Sequence, residues 1–256
     1  MKSCLVIGAN GFLGSNMVAY LNKAGFTVDV ADRDTPRQEL AKTNFELVIN
    51  CAGNSKTWLA ERDPVKCLQE NVIDLIGDLN FLHFGMWVQI SSNTVYTSED
   101  TQEDGHILAT DLSTYAYHKL LGEHYTRKLA NNWLILRPTG FFGPGLKKNL
   151  LFDLRANSSE IYFTRDSYID FIPVALFCEM VVSLAESAIG EIVNVGSDAA
   201  LPVGDLIDAF PSITVAEDAR HVDNRSLNLT KLKHHYSKLP SADEIRNQVM
   251  AFLQEK

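Results

Sequence analysis

The sequence has few cysteines, and no two of them are spaced as in a metal or redox motif. Cys4, Cys51, Cys67 and Cys178 are far apart, and three of them lie in apolar segments. No apolar run approaches the roughly 18 residues of a membrane span, and the stretch Leu5 to Ile7 is too short for a secretory signal. We therefore expect reduced thiols, no metal site, no membrane contact and a cytoplasmic location.

Basic residues are scarce relative to acidic ones. The 256 residues include 23 lysines and arginines against 32 aspartates and glutamates, a formal net charge of −9 at pH 7. Proteins that bind nucleic acids or anionic membranes normally carry a basic excess, so neither partner is expected. With 46% hydrophobic and 21% charged residues, the composition is that of a globular protein of one large domain, or of one domain with a minor lobe.

Short apolar runs alternate with longer helical patterns along the chain. CLVIGA, FELVINCAG and MWVQISS are typical of strands, and the segments between such runs repeat apolar residues at helical spacing. This order predicts βα units and a parallel sheet. The pattern is less regular after Gly145, which indicates a small second lobe. Near the C-terminal end, Ser241 and Glu244 have the spacing of a capping box, which predicts a helix start.

Three glycines, Gly8, Gly11 and Gly14, separate the first predicted strand from the first predicted helix. Glycine permits a tight turn and brings backbone N–H groups close to a pyrophosphate, and the helix N-terminus adds a partial positive charge. Asp32 ends the second predicted strand, where its carboxylate suits the hydroxyls of an adenosine ribose. The alternative is a plain strand–turn–helix junction.

The residues at the end of the second strand bear on the choice between NAD and NADP. The Asp32 carboxylate would repel a 2′-phosphate, which favours NAD. Arg33 and Arg37 follow closely, however, and a guanidinium group can accommodate that phosphate. NAD is therefore expected, and NADP stays open.

Tyr115 and Lys119 are four residues apart in a predicted helix, so they share one face. Free tyrosine has a pKa of about 10, and a nearby ammonium together with an oxidised nicotinamide would stabilise its phenolate. Ser92 ends the MWVQISS strand at the carboxyl edge of the sheet, so its hydroxyl suits the same substrate oxygen. Taken alone, tyrosine and lysine at this spacing are more often a surface pair. Tyr117 has no lysine at the matching spacing.

In this order the motifs resemble those of the extended short-chain dehydrogenase/reductase family, and within it the NAD-dependent epimerase/dehydratase group that acts on nucleotide sugars. The similar segments are GANGFLG, INCAG, SSNTVY, YAYHK, LRPTGFFGPG, GEIVNVGS and RHVDNRSLNLTKLKHHYSKLP. The resemblance implies an α/β fold, a Rossmann-type doubly wound parallel sheet with a small C-terminal substrate lobe. We expect the dinucleotide-binding domain at 1–145, with 170–197 returning to it, and the substrate lobe at 146–169 and 198–256.

The resemblance also implies roles for particular residues. Ser92, Tyr115 and Lys119 would be catalytic, and Asn149 and Arg220 would bind a sugar diphosphate. The cofactor contacts that it implies are Gly8, Asn10, Gly11, Phe12, Leu13, Gly14, Asp32, Arg33, Ala52, Gly53 and Asn71, together with Tyr115 and Lys119.

Several positions depart from the family pattern. The strand expected before FELVINCAG, with an aspartate that contacts adenine, is missing or much shortened. Pro173 stands where the family commonly has a histidine, and Ile169 where it has an arginine. Asn93 and Thr94 stand where the 4,6-dehydratases of the family carry an Asp-Glu pair, and neither side chain can serve as an acid or base at neutral pH. Dehydration is therefore disfavoured.

The leading hypothesis is a nucleotide-sugar epimerase or 4-ketoreductase, in which hydride passes between a sugar carbon and NAD(P). Tyr115 would move the hydroxyl proton, and Ser92 would orient the oxygen. Two alternatives stay open: a dinucleotide-binding sensor or scaffold without turnover, and a reductase of a small carbonyl compound. The apolar faces at 72–82 and 125–133 are compatible with a homodimer, and equally with core packing.

Overall fold

The computed structural model describes residues 2–96, 101–105, 107, 111–156, 158–222 and 227–254. The strands are β1 (Ser3–Ile7), β2 (Thr27–Ala31), β3 (Asn44–Asn50), β4 (His83–Ile90), β5 (Trp133–Pro138), β6 (Gly140–Phe142), β7 (Glu160–Phe163), β8 (Tyr168–Ile169), β9 (Phe171–Pro173), β10 (Glu191–Val195), β11 (Leu201–Pro202) and β12 (Thr214–Arg220). The α-helices are α1 (Phe12–Lys23), α2 (Arg37–Leu40), α3 (Thr57–Arg62), α4 (Pro64–Leu68), α5 (Asp74–Phe81), α6 (Thr114–Leu129), α7 (Leu150–Arg155), α8 (Val174–Ser187), α9 (Val203–Asp208), α10 (Thr230–His235) and α11 (Ala242–Gln254). A π-helix, Gln69–Ile73, joins α4 to α5.

Six parallel strands form the central sheet, in the order β10-β5-β4-β3-β1-β2. This confirms the predicted Rossmann-type sheet. The chain runs outward from β1 to β2 and then returns to the other side of β1 at β3, so the strand order reverses between β1 and β3. Ligands of such sheets bind at this reversal, beyond the carboxyl ends of the strands. The short helix α2 is the only regular element described between β2 and β3, which confirms that the strand expected there is missing.

Strand β1 is buried on both faces, which explains its continuous apolar sequence. Cys4 and Val6 belong to a core with residues of α1 and α8. Leu5 and Ile7 point to the opposite face and belong to a core with residues of α5. Alternate side chains of a strand point to opposite faces, so β1 anchors helices on both sides of the sheet.

A second apolar cluster lies outside the two cores of the sheet. Its members come from β6, α7, β7, β8, β9, β11, α9, α11 and adjoining segments, and they range from Phe142 to Leu253. Leu232 of α10 and Tyr236, which follows this helix, instead belong to a core of the sheet. The domain boundaries given above stay a prediction. The capping box before α11 is confirmed, because the backbone N–H of Glu244 donates to the Ser241 hydroxyl (3.3 Å) and the backbone N–H of Ser241 donates to the Glu244 carboxylate (2.7 Å).

Three further features of the described residues bear on the sequence predictions. All four cysteines are described, and each is a free thiol. No described helix combines the length and the apolar character that a membrane crossing requires. Among the same residues, no three His, Cys, Asp or Glu side chains are grouped as a metal site would need.

Candidate active site

Two glycines at the junction of β1 and α1 stand where a side chain has no room. Gly8 has a φ of +80°, and a Cβ at Gly14 would lie 2.1 Å from the Gly8 carbonyl oxygen. No side chain caps the N-terminus of α1, whose N-cap residue is Gly11. The first N–H groups of the helix therefore remain available to an anion, so this turn fits a pyrophosphate.

A cavity of about 600 Å³ lies beside the glycine turn, at the carboxyl ends of β1, β2 and β3. Eight of the predicted cofactor residues line it: Gly8, Asn10, Gly11, Asp32, Arg33, Ala52, Gly53 and Asn71. Phe12, Leu13, Gly14, Tyr115 and Lys119 do not line it. Sequence reasoning missed Asn54, Glu70 and Lys148, which do. Each of the three directly neighbours a predicted residue in the sequence, and that adjacency was their signal.

Charged side chains from β2 and its following turn define one end of this cavity. The Asp32 carboxylate accepts a hydrogen bond from the backbone N–H of Asn10 (3.1 Å), which ties the end of β2 to the glycine turn. Arg37 donates to both carboxylate oxygens of Asp78 (2.6 and 3.2 Å) and to the Asp32 carbonyl oxygen (2.8 Å). Arg33 donates to the Glu70 carboxylate (2.8 Å).

Gly53 and Asn71 line the cavity and come together with Lys119 beside it. Gly53 has a φ of +126°, and a Cβ there would lie 2.4 Å from Asn71 Oδ1 and 3.7 Å from Lys119 Nζ. Asn71 Oδ1 accepts the backbone N–H of Asn54 (2.7 Å). Asn71 lies in the π-helix, and single π-turns within helices are frequent at functional sites.

Ser92, Tyr115 and Lys119 meet at the same edge of the sheet. Ser92 follows β4, Tyr115 lies in the first turn of α6, and hydrogen bonding to the Ser92 side chain acts to lower the pKa of Tyr115. The Lys119 ammonium lies 5.9 Å from the centre of the Tyr115 ring and donates to the Ile90 carbonyl oxygen (2.9 Å). Because Lys119 also approaches Gly53, the three side chains lie beside the cavity.

The two predicted substrate residues lie elsewhere. Asn149 caps α7: its Oδ1 accepts the backbone N–H of Phe152 (3.1 Å), and its Nδ2 donates to the Phe141 carbonyl oxygen (2.8 Å). The Arg220 guanidinium stacks on the Phe163 ring at 5.0 Å. Neither lines the cavity, whereas Lys148 does.

The match to a family model decides what kind of protein this is. The model of the NAD dependent epimerase/dehydratase family matches residues 4–196, about three quarters of the chain. The chain belongs to this family. A comparison with curated proteins finds no significant match.

Solved structures share the fold of this family member over nearly its whole length. MoeE5 in complex with UDP-glucose and NAD is 18% identical, with a TM-score of 0.85, and the match covers 99% of this chain and 98% of that one. UDP-N-acetylglucosamine 4-epimerase from Methanobrevibacter ruminantium M1 is 18% identical, with a TM-score of 0.82 and coverages of 99% and 97%. TunA, an NAD-dependent NDP-hexosamine 5,6-dehydratase, is 20% identical, with a TM-score of 0.82 and the same coverages. The fold thus accommodates both epimerases and dehydratases.

Burial is the largest influence on the pKa values of two candidate site residues, Tyr115 and Lys119. It raises the pKa of Tyr115 to about 12, and the hydrogen bond from Ser92 opposes that rise. Burial lowers the pKa of Lys119 to about 8, against the nearby Cys51 and Glu123 groups, which raise it. The sequence suggested that Lys119 lowers the pKa of Tyr115, but in the structure burial outweighs any such effect. An added positive charge is therefore needed before the phenol can release a proton near neutral pH.

Proposed function

We propose that the chain is an NAD(P)-dependent epimerase or 4-ketoreductase of nucleotide sugars, with Tyr115 as its acid and base. The observation that carries the proposal is the meeting of Ser92, Tyr115 and Lys119 beside the glycine-lined cavity. A surface pair of tyrosine and lysine would leave the phenol exposed to solvent, whereas Tyr115 is buried.

The cavity residues fit a dinucleotide. The N-terminus of α1 has no side-chain cap, so its first backbone N–H groups are available to a pyrophosphate. The Asp32 carboxylate stands at the end of β2, where ribose hydroxyls are bound in such folds. When bound, the nicotinamide supplies the hydride acceptor or donor. Asn71 and Gly53 line the end of the cavity nearest Lys119.

The chain's own residues handle the proton. The Tyr115 phenolate takes the proton of a sugar hydroxyl during oxidation, and the phenol formed in that step returns the proton to the keto oxygen during reduction. The Ser92 hydroxyl, which acts on the pKa of Tyr115, holds the same substrate oxygen. The Lys119 ammonium, fixed by the Ile90 carbonyl oxygen, supplies positive charge that favours the phenolate.

Elimination of water needs an additional acid and base, which the neighbouring residues do not offer. Asn93 and Thr94 follow Ser92, and the Thr94 hydroxyl donates to the Ser92 hydroxyl (3.0 Å). Neither residue exchanges protons at neutral pH. We therefore favour epimerisation or ketone reduction over dehydration.

Substitution of Tyr115 by Phe tests this function. The change removes only the hydroxyl, so kcat with a responsive nucleotide sugar should fall by about 10²- to 10⁴-fold, the usual contribution of a general acid–base group. Cofactor affinity should stay within about threefold, because the ring remains. Turnover of a panel of UDP and dTDP sugars, followed by NMR and by nicotinamide absorbance, measures the first effect, and calorimetric titration measures the second.

Tyr117→Phe is the matched control, since this exposed tyrosine lies on the same helix. Unchanged turnover in Tyr115→Phe would refute the acid–base role. Cofactor binding without any response to sugar nucleotides would instead favour the sensor, and turnover of simple ketones alone would favour the small-carbonyl reductase. The engagement of Asn149 in helix capping is the observation that keeps this reductase in view.

We also infer a homodimer, on the basis of exposed apolar side chains at Ile73 and Phe81 on one helical segment and Leu129 on α6. Sedimentation velocity would measure it, and a monomer at micromolar concentration would contradict it.

We infer a cytoplasmic location from the four free thiols, which suit a reducing compartment, and cell fractionation tests this.

A further inference from the structure

Arg33 and Glu70 join opposite sides of the dinucleotide cavity. Arg33 follows β2, whereas Glu70 belongs to the π-helix between α4 and α5, and both line the cavity. The Arg33 guanidinium donates to Glu70 Oε1 at 2.8 Å. The contact therefore spans the cavity beside Asp32, the residue that selects between ribose hydroxyls and a ribose phosphate.

Of the two arginines after β2, only Arg33 can be released to a ligand without loss of structure. Arg37 donates to both Asp78 oxygens and to the carbonyl oxygens of Asp32 and Thr35. Its partner Asp78 has only 7% of its side chain exposed, so Arg37 is part of the cavity wall. The Arg33 side chain is 73% exposed and is held by the contact with Glu70.

Glu70 is held in place from a second direction. Its Oε2 accepts a hydrogen bond from Asn54 Nδ2 (3.0 Å), and its side chain is only 12% exposed. The carboxylate is therefore fixed inside the cavity wall, while Arg33 reaches it from solvent. Because the Arg33 side chain is largely exposed, this ion pair contributes little to stability. Its consequence is the charge that the pair presents to a ligand.

We infer that Glu70 is a specificity-determining residue that directs the site to NAD and against NADP. It occupies the guanidinium of Arg33, the group that would otherwise bind a 2′-phosphate, and its own negative charge repels that phosphate. Asp32 adds a second repulsion. This inference rests on the proposed function as a dinucleotide enzyme, and it assigns the preference to a residue on the far side of the cavity.

Glu70→Gln tests the inference by removing the charge while keeping an oxygen for Asn54. Calorimetric titration of the purified full chain with NAD⁺ and with NADP⁺ gives both dissociation constants. We expect NADP⁺ to bind about tenfold more tightly than to wild type, the size of one charge-assisted contact, and NAD⁺ to change by less than about threefold. The gain in NADP⁺ affinity should shrink as the salt concentration is raised from about 50 to about 500 mM, because Arg33 is exposed and its charge is screened.

Two variants identify the cause. Arg33→Gln combined with Glu70→Gln should lose the NADP⁺ gain, since the released guanidinium is then absent. Glu39→Gln removes one negative charge from an exposed pair with Lys42, outside the cavity, and should leave the NADP⁺ to NAD⁺ ratio unchanged.

The outcomes separate this inference from the proposed function. If NAD⁺ binds and Glu70→Gln leaves the ratio unaltered, or if Glu39→Gln alters it equally, Glu70 does not set the preference. If the double variant keeps the gain, Arg33 is not the group that Glu70 masks. If wild type binds neither nucleotide, the dinucleotide proposal fails and this inference fails with it. Thermal unfolding of each variant verifies that it is folded.

Discussion

Lys119 carries its amine in a setting that penalises the charged form. The Nζ atom donates to a backbone carbonyl oxygen rather than to a carboxylate, and burial lowers its pKa to about 8. The amine is then mostly protonated at neutral pH but loses its proton more readily than a free lysine, whose pKa is about 10.4. Lys119 therefore places positive charge beside Tyr115, and the burial of this charge lowers the free energy of unfolding.

Lys119→Met should therefore change how stability depends on pH. Between pH about 8 and about 10 the unfolded chain holds a proton on Lys119 that the folded chain has lost, so this residue makes the free energy of unfolding rise with pH. The free energy of unfolding of wild type minus that of Lys119→Met should rise across this window by on the order of 1–3 kcal/mol. Urea unfolding at intervals between pH 7.5 and 10, with about the same salt throughout, measures it.

The other groups that titrate in this range, including the buried thiols, are present in both proteins, so their effects cancel in the difference to first order. A difference that stays flat or falls across the window would show that burial does not depress the pKa of Lys119. Lys128→Met, an exposed change on the same helix, serves as the control.

At the scale of elements, a buried ion pair holds α6 against the sheet. Arg137 of β5 donates to both carboxylate oxygens of Glu123 in α6 (2.9 and 2.6 Å), with side chains 2% and 0% exposed. The hydroxyl of Ser91, at the end of β4, donates to the same carboxylate (2.5 Å). Because Ser91 precedes Ser92 and Glu123 lies one turn beyond Lys119, this network fixes the two elements that carry the proposed catalytic residues.

Glu123→Ala should be strongly destabilising, because it leaves the Arg137 guanidinium buried without its carboxylate. Breaking one partner of a buried pair costs about 3–5 kcal/mol. Adding Arg137→Met removes the stranded charge, so the double variant should recover most of the lost free energy of unfolding. Urea denaturation of wild type, both single variants and the double variant completes the cycle. Equal losses in Glu123→Ala and the double variant would contradict the assignment.

The sequence predicted those elements whose signals are local. The turn at Gly8 and the start of α11 at Ser241 each depend on neighbours within a few residues, and the structure bears out both. The π-helix was not predictable, because the apolar spacing from Val72 to Leu79 continues through it as in an α-helix. The side-chain amide of Asn149 donates to the carbonyl oxygen of Phe141, and no sequence pattern indicates that this bond forms.

At the scale of the whole molecule, Asp170 connects the end of the sheet to the segment that leads into the second apolar cluster. It lies between β8 and β9, is 1% exposed, and accepts hydrogen bonds from the backbone N–H (2.9 Å) and hydroxyl (2.5 Å) of Ser197, which follows β10. A Cβ at Gly196 would lie 2.3 Å from its carboxylate, so the approach requires glycine. Burial raises the pKa of Asp170 to about 7, and the bonds from Ser197 oppose that rise.

This carboxyl group should make the molecule less stable as pH rises toward neutrality. Between pH about 4 and about 7 the folded chain keeps the Asp170 proton that the unfolded chain has lost, so the stabilisation by this proton is complete below pH about 4 and disappears as pH rises through about 7. The free energy of unfolding of wild type minus that of Asp170→Asn should fall by on the order of a few kcal/mol between pH about 4 and pH about 7. Asp166→Asn is the control, because hydrogen bonding to Thr164 holds the pKa of that exposed aspartate below its ordinary value and it titrates below the window. Urea unfolding at each pH gives the comparison. A difference in the free energy of unfolding that rises with pH would mean that the hydrogen bonds from Ser197, rather than burial, determine the pKa of Asp170.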